Sequence, residues 1–129
     1  MTVEFTTVVM TYNLWARHWW PQREPAVRAF FSTRDADILA VQELRPETRD
    51  LIDELLPQHA RVDDRFRGWS EASNIWWRTD LYQLQEFGAE DIGSSNQLRR
   101  LFWVKLVPVL AGVAGPLLVA TAHYTWPGH

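Results

Sequence analysis

The sequence of 129 residues contains no cysteine, and this absence removes several classes of chemistry. Disulfide bonds, thiolate catalysis and cysteine-ligated zinc sites are all excluded. Strong positive charge is also absent, because 13 basic residues stand against 16 acidic residues and the formal net charge is -3. This balance argues against a protein that coats nucleic acid with its whole surface. With 47% hydrophobic residues, the composition is that of a single globular domain held together by an apolar core.

Lysine is nearly absent as well, since Lys105 is the only one and the other twelve basic residues are arginines. Arginine matches phosphate geometry better than lysine does, although a GC-rich genome would produce the same bias. Tryptophan, in contrast, is abundant, with eight copies. A Trp-rich, sugar-binding type of ligand-binding module therefore stays open as an alternative at this point.

Targeting signals are lacking too. The first residues contain neither a basic segment nor a small-residue cleavage site, so they do not form a signal peptide. Leu106–Trp126 carries no Asp, Glu, Lys or Arg and is long enough to span a bilayer. Prolines and glycines interrupt its middle, however, and we interpret it as a hairpin of strands Leu101–Leu110 and Leu117–Tyr124. We therefore expect no membrane span and a cytoplasmic location.

The order of predicted elements indicates an α/β fold. Apolar residues at helical spacing predict helices over Glu24–Thr33 and Pro46–Leu56. Runs rich in apolar, β-branched and aromatic residues predict strands, which are Phe5–Trp15, Asp37–Glu43, Glu71–Arg78, Leu81–Glu90 and the two strands of the hairpin. Strands and helices alternate first and strands then follow one another, which predicts one mixed β-sheet with both helices on one face.

Candidate site residues lie at the ends of these strands, where α/β sheets place their sites. Asn13, Glu43 and His123 each follow or end a strand, and Glu71 begins one. A carboxylate such as Glu43 after a buried strand is costly unless it is paired or bound to a metal. Mg²⁺ needs only one or two carboxylates, Asn13 can support it or donate to phosphate, and His123 can donate to a phosphoryl oxygen. Glu71 could fix the tautomer of that histidine.

Four segments together resemble the motifs of one family. Thr11–Leu14 (TYNL) and Asp37–Glu43 (DILAVQE) resemble the opening of the endonuclease/exonuclease/phosphatase superfamily, which has the deoxyribonuclease-I-like fold. Glu71–Arg78 (EASNIWWR) resembles its Glu-Gly-x-Ala-Ile-Phe-Tyr-Arg strand, and Leu118–Tyr124 (LVATAHY) resembles its Val-x-Asn-Thr-His-Leu strand. Asn74 departs from the small residue usual in the third motif. The four segments occur in the order of the family.

The resemblance implies a role for each candidate residue. Glu43 would be a ligand of Mg²⁺, or alternatively Mn²⁺, and Asn13 would lie beside the metal and the phosphate. His123 would contact the scissile phosphate, and Glu71 would orient it. The substrate would be a phosphate ester, such as a nucleic acid, a nucleotide or a small phosphoester, and the activity that of a nuclease or phosphatase.

The resemblance also implies that half of the family domain is missing. The family continues with a Gly-Asp-x-Asn motif and an Asp-His pair, and neither follows His123 here. We therefore expect residues 1–129 to be the N-terminal part of such a domain, half of a four-layer α/β sandwich, inactive alone and able to self-associate through an exposed sheet face. The alternatives are a non-catalytic binding remnant of the fold and the Trp-rich module.

Overall fold

The computed structural model describes residues 5–112 and 115–124, in which seven strands and three helices are found. In chain order the elements are β1 Val9–Asn13, α1 Glu24–Thr33, β2 Ile38–Gln42, α2 Pro46–Leu55, β3 His59–Arg61, α3 Gly68–Glu71, β4 Ser73–Arg78, β5 Tyr82–Asp91, β6 Arg100–Pro108 and β7 Leu117–Thr121.

Both predicted helices are confirmed, and local signals explain where they begin. Each carries proline in its first turn, where a backbone N–H would have no intrahelical partner anyway. The second helix adds a cap, because the Thr48 hydroxyl accepts a hydrogen bond of 3.0 Å from the backbone N–H of Arg45. Strand β3 and helix α3 are too short to give a periodic signal, and the sequence did not predict them. We had expected Glu71 to begin a strand. Instead, Glu71 is the last residue of helix α3.

The α/β class and the mixed sheet are confirmed, but the strands divide into two sheets. The first sheet has the order β1-β2-β4-β3, with β1 parallel to β2 and the other pairs antiparallel. The second is antiparallel, with the order β5-β6-β7. The expectation of one sheet was wrong because β4 is paired on both edges. A short turn leads from β4 to β5, yet β4 has no free edge for β5, which starts the second sheet.

The first sheet lies between the helices and the second sheet. Successive residues of a strand point to opposite faces, and Trp76 and Trp77 show this directly. Trp76 belongs to the helix-side core, which consists of Leu14, Val27, Phe31, Leu39, Val41, Leu44, Leu51, Ile52 and Trp76. Trp77 belongs to the inter-sheet core, which includes Ile38, Ala40, Ile75 and Trp77 from the first sheet and Phe102, Val104 and Leu106 from the second.

The inner face of the first sheet is therefore mostly covered by this chain itself, which corrects the expectation of a bare sheet face. The exception is β1, the edge strand. Strand β7 lies over β2, where the Gln42 side chain donates to the Thr121 hydroxyl over 2.8 Å. Val9 pairs with Ile38 in the register but remains 55% exposed, whereas Ile38 is fully buried. An uncovered strip along β1 thus remains.

The charge-free segment near the C-terminus forms strands, as predicted. Most of it lies in β6 and β7, which pair antiparallel from Phe102↔Thr121 to Leu106↔Leu117. The tip of the hairpin at 113–114 and the end at 125–129 lie outside the described residues. Among the residues that the structure describes, no helix is long and apolar enough to cross a membrane.

Candidate active site

Three of the four predicted site residues line one small pocket at the end of the first sheet. Glu43 follows the end of β2, Glu71 precedes β4, and His123 follows β7. Strand β4 runs antiparallel to β2, so its beginning lies beside the end of β2. The enclosed space measures about 30 Å³. Since one water needs roughly 10–15 Å³ on this measure, the pocket is open to ions and small polar groups.

Glu43 has an unusual backbone. Its φ is 54°, in the left-handed region that side chains other than Gly, Asn and Asp rarely adopt. Hydrogen bonds hold this turn on both sides, because Glu43 C=O accepts from Ala16 N–H over 3.2 Å and Leu44 N–H donates to Ala72 C=O over 3.0 Å. The carboxylate has neither a hydrogen bond nor an ion pair among the described residues. The fold thus keeps a strained, unpaired carboxylate at the pocket, which is typical of functional positions.

Glu71 has a partner, and that partner is not the histidine. Its Oε2 accepts from Arg67 Nε over 2.8 Å, one helical turn earlier. No hydrogen bond joins Glu71 to His123, so the orienting contact that the resemblance implied is absent in this structure. The second carboxylate oxygen, Oε1, has no partner among the described residues, and Glu71 lines the same pocket as Glu43.

Asn13 lies at the end of β1, beside Gln42 in the register. Its Oδ1 accepts from the backbone N–H of Trp15 over 2.8 Å and so closes the turn that follows the strand. Asn13 does not line the pocket, in contrast to the other three predicted residues. This use of asparagine as a turn residue is common, and it leaves the amide Nδ2 unpaired within the described chain.

His123 is half-buried at the pocket, and its ring makes no hydrogen bond within the described residues. Its position is set by the end of β7, which is tied to the first sheet through Gln42. The Gln42 Nε2 donates to both the Thr121 hydroxyl, at 2.8 Å, and the Thr11 hydroxyl, at 3.0 Å. Gln42 is therefore a positioning residue that we did not single out, and its place directly before Glu43 was the available signal.

Three arginines complete the pocket wall: Arg45, Arg99 and Arg100. Arg45 is a clamp, because its Nη1 donates to the carbonyls of Leu44, at 2.7 Å, and Glu71, at 2.8 Å. It thus holds the two carboxylate-bearing segments together. None of these arginines was among the site residues predicted from the sequence. The signal available was the position of Arg45, two residues after Glu43.

The donor set at the pocket fits a weakly held hard cation. In the described part of the chain, no three His, Cys, Asp or Glu side chains are grouped as a metal site would need. Glu43 and Glu71 nevertheless offer oxygens that accept no hydrogen bond. One or two carboxylates with several waters are the usual ligands of Mg²⁺, so these two residues fit that ion and do not form a complete cage.

The aromatic loop after β1 also borders this end of the sheet. Trp15, Ala16 and Trp19 have positive φ values, and Trp19 is 69% exposed, so it does not belong to either core. Arg17, which could have bound phosphate, forms an ion pair with Glu47. The guanidinium is thus already neutralised, which argues against a role of Arg17 in binding phosphate.

Comparison with known proteins shows similarity in structure only. No protein-family model and no curated protein matches the sequence. The crystal structure of ANGEL2, a 2',3'-cyclic phosphatase, is 16% identical with a TM-score of 0.75, over 94% of this chain and 42% of that chain. An endonuclease/exonuclease/phosphatase family protein from Bacteroides thetaiotaomicron is 22% identical with a TM-score of 0.71, over 92% and 50%. A mannosyl-6-phosphatase from Bacteroides thetaiotaomicron is 24% identical with a TM-score of 0.70, over 92% and 51%.

The chain spans about half of the length of these structures. The match extends over both sheets and the helices, since it covers more than nine-tenths of this chain. We conclude that the chain has the fold of the endonuclease/exonuclease/phosphatase, or deoxyribonuclease-I-like, superfamily over about half of the length that its structural neighbours have.

Proposed function

We propose that this chain supplies part of the active site of a metal-dependent phosphoesterase. One observation carries the proposal: the fold holds the Glu43 carboxylate in a left-handed backbone conformation, without a partner, at a pocket that it shares with His123 and three arginines. Two of the structures with the same fold are described as phosphatases, which supports the reaction class. The substrate is a phosphate ester, either a nucleic acid, a nucleotide or a small phosphoester.

In this proposal, Glu43 is the main ligand of Mg²⁺ or Mn²⁺, and the free oxygen of Glu71 faces the same ion. The bound ion supplies stabilisation of the negative charge that develops on the phosphoryl group. His123 donates a hydrogen bond from its ring to a non-bridging phosphoryl oxygen. Asn13 contributes its Nδ2 donor on the phosphate side of the site, since its Oδ1 is engaged in the turn.

The described residues do not supply the whole reaction. After His123 is assigned to the phosphate, the pocket retains no second histidine, and its carboxylates are assigned to the metal. No group is left to activate a water. We therefore propose that residues 1–129 are the N-terminal part of the catalytic domain, and we expect turnover only when the remaining part is present.

Metal binding tests the proposal directly. Glu43→Gln removes the charge at nearly constant shape, so titration calorimetry with Mg²⁺ should show an affinity at least about tenfold lower than that of the original chain. The matched control is Glu86→Gln, because Glu86 is an exposed carboxylate on β5 without a partner among the described residues. Equal Mg²⁺ affinities for Glu43→Gln and the original chain would remove the ligand assignment.

Line broadening by paramagnetic Mn²⁺ locates the metal site. Added at low concentration, it should broaden the NMR signals of His123 and Glu71 before those of residues far from the pocket, such as Leu118 on the outer face of β7. Broadening that begins elsewhere contradicts the proposed site. Loss of this pattern in Glu43→Gln, with an unchanged spectrum otherwise, supports it.

The alternative of a non-catalytic binding remnant has one observation in its favour, since no three metal-ligating side chains are grouped in the described chain. It predicts binding of inorganic phosphate that is indifferent to Mg²⁺. The proposed enzyme instead binds phosphate more tightly when Mg²⁺ is present. The Trp-rich binding module is disfavoured, because Trp69, Trp76 and Trp77 are buried in the two cores.

A further inference from the structure

A second cavity adjoins the candidate active site, on the side away from β1. It measures about 340 Å³ and is lined by Asp64, Phe66, Trp69, Phe87, Gly88 and Arg100, among others. This volume lies at the lower end of the range for small-molecule sites. We name it the aromatic cleft. It shares Arg100 with the Glu43 pocket, so a ligand in one reaches the edge of the other.

The cleft presents flat aromatic surface to solvent. Trp69 is buried and forms the floor, and its ring meets the Phe87 ring edge to face at 5.8 Å between centroids. Phe87 is 40% exposed, a large fraction for phenylalanine in a strand. Phe66 stacks on Phe102 at 6.2 Å and carries the Arg100 guanidinium over its ring at 4.8 Å. The exposed part of the Phe87 ring therefore offers stacking surface to a planar ligand, whereas Trp69 is buried and Phe66 already contacts Phe102 and Arg100.

Arg100 is the charged wall between the two cavities. Within the described chain it forms no ion pair, and its one hydrogen bond, from Nη1 to the carbonyl of Ala89, is long at 3.4 Å. Its Nε is buried and has no acceptor among the residues that the structure describes. Buried donors in folded proteins nearly always have partners, so this guanidinium lacks an anionic partner. A phosphate in the adjoining pocket has the charge and the oxygens that it needs.

Asp64 supplies a negatively charged hydrogen-bond acceptor at the rim of the cleft. Its Oδ2 accepts from the backbone N–H of Phe66 over 3.0 Å, which fixes the carboxylate in place. Its Oδ1 has no partner among the described residues and can accept a further hydrogen bond. The cleft therefore combines stacking surface, a cation on the side of the active site and an acceptor at the other end.

We propose that the aromatic cleft binds the base of a nucleotide whose phosphate lies in the Glu43 pocket. The inference rests on the proposed function and names its substrate class. The base stacks against Phe87, Arg100 binds the phosphate, and Asp64 accepts from an exocyclic amino group of the base. A sugar phosphate without a base lacks the stacking contact, and an aryl phosphate without an amino group lacks the contact to Asp64.

The test compares three probes on the 129-residue chain by NMR titration with Mg²⁺ present. Adenosine 5'-monophosphate should bind about tenfold more tightly than ribose 5-phosphate, the effect of one stacked base. The affinity for phenyl phosphate should lie between those for adenosine 5'-monophosphate and ribose 5-phosphate. Phe87→Ala should abolish the preference for adenosine 5'-monophosphate over ribose 5-phosphate, and it is a mild change because the ring is half-exposed. The matched control is Leu118→Ala, on the outer face of the same sheet.

Arg100→Gln should weaken the binding of all three probes alike, because it removes the contact to the phosphate group that all three carry. Its control is Arg34→Gln, since the Arg34 guanidinium also lies over a phenylalanine ring, Phe30, at 5.3 Å, on the helix side of the molecule. Equal binding of adenosine 5'-monophosphate and ribose 5-phosphate overturns the inference, and so does a preference that survives Phe87→Ala.

The two proposals fail in distinguishable ways. If Glu43→Gln binds Mg²⁺ normally while the preference for the base depends on Phe87, the phosphoesterase site is wrong and the cleft stands. If the metal site behaves as expected while the three probes bind equally, only the cleft is wrong. Phenyl phosphate that binds as tightly as adenosine 5'-monophosphate shows a general aryl site and overturns the assignment of a nucleobase.

Discussion

The two sides of the four-stranded sheet differ in how completely their groups are satisfied. On the β3 side, which we define as β3, β4 and residues 62–72, the buried polar groups have partners among the described residues, with the exception of His59 Nδ1. The Asn74 amide bonds to Val62 N–H, Val62 C=O and Trp69 C=O, and Arg61 binds both oxygens of Asp53. On the β1 side, which we define as residues 8–20, valines are exposed and the backbone is strained at several positions.

Glu43 lies at the boundary between the two sides, and its turn is bonded to both. The non-glycine residues with positive φ in the described chain are Trp15, Ala16, Trp19 and Glu43, all at this end of β1 and β2. Strain of this kind persists only where surrounding structure imposes it. The difference teaches that the β3 side and the inter-sheet core provide the stability, whereas the β1 side holds the strained backbone.

The largest expected effect is on stability, and it is tested by substituting each of two residues that pair in the register of β1 and β2. Ile38→Ala empties a fully buried position in the inter-sheet core and should lower the free energy of unfolding by about 2–5 kcal/mol. Val9→Ala, its neighbour on β1, should change it by less than about 0.5 kcal/mol because Val9 is already exposed. Urea denaturation measures both. Similar losses in the two variants would show that β1 is covered in solution.

The same contrast explains which features of the structure could be predicted from the sequence. Helix periodicity and the buried strand before Glu43 follow from patterns within single segments. The clustering of Glu43, Glu71 and His123 at one end follows from the rule that α/β sheets place their sites at strand ends and from the family resemblance. The division into two sheets does not, because it depends on which edges of β4 are occupied. Nor does the Asn74 network, since the sequence marks that residue only as a departure from a small one. Partners such as Arg67 for Glu71 depend equally on tertiary placement.

Association between copies is expected to involve the β1 side. Val8 and Val9 are 49% and 55% exposed, and β1 is an edge strand that pairs with β2 on one side only, a feature that promotes pairing between chains. Light scattering should show dimers or larger species for the original chain. Val9→Lys should raise the dissociation constant at least about tenfold, because charge on an edge strand opposes pairing.

Leu118→Lys is the control for this prediction, since Leu118 is more exposed than Val9 but lies on the outer face of the second sheet. A chain that is monomeric throughout, or one for which both variants dissociate equally, would contradict the assignment of the β1 side as the contact surface.

A smaller effect is expected at Glu43, where strain and function are in one residue. Glu43→Asn should raise the free energy of unfolding by about 1 kcal/mol in the absence of metal, because asparagine adopts positive φ more readily. The same variant should bind Mg²⁺ more weakly. Glu43→Gln, which keeps the strain, serves as the comparison and should leave stability nearly unchanged. Destabilisation by Glu43→Asn would show that the glutamate side chain has a structural role.

The smallest effect concerns His59, on the β3 side, which tests whether that side is fully satisfied. The ring donates from Nε2 to the Ala36 carbonyl over 2.7 Å, but its Nδ1 is buried and has no partner in the described part of the chain. Burial lowers the pKa of His59 below its ordinary value of 6.5, and nearby Arg78 lowers it further. The Ala36 carbonyl, Asp35 and Asp37 act in the opposite direction without reversing the shift. Protonation of Nδ1 would place a buried N–H where no acceptor exists.

The sign of the pH dependence follows from this lowered pKa. Below pH 6.5 the unfolded chain takes up a proton at His59 that the folded chain resists, so the contribution to stability is present above 6.5 and is lost as the pH falls through that value. His59→Gln keeps a donor for the Ala36 carbonyl and removes the titration. Urea denaturation between pH 8 and pH 5 should therefore show a shallower loss of stability for His59→Gln than for the original chain. Parallel profiles would mean that His59 titrates normally in the folded protein and that its Nδ1 finds a partner in solution.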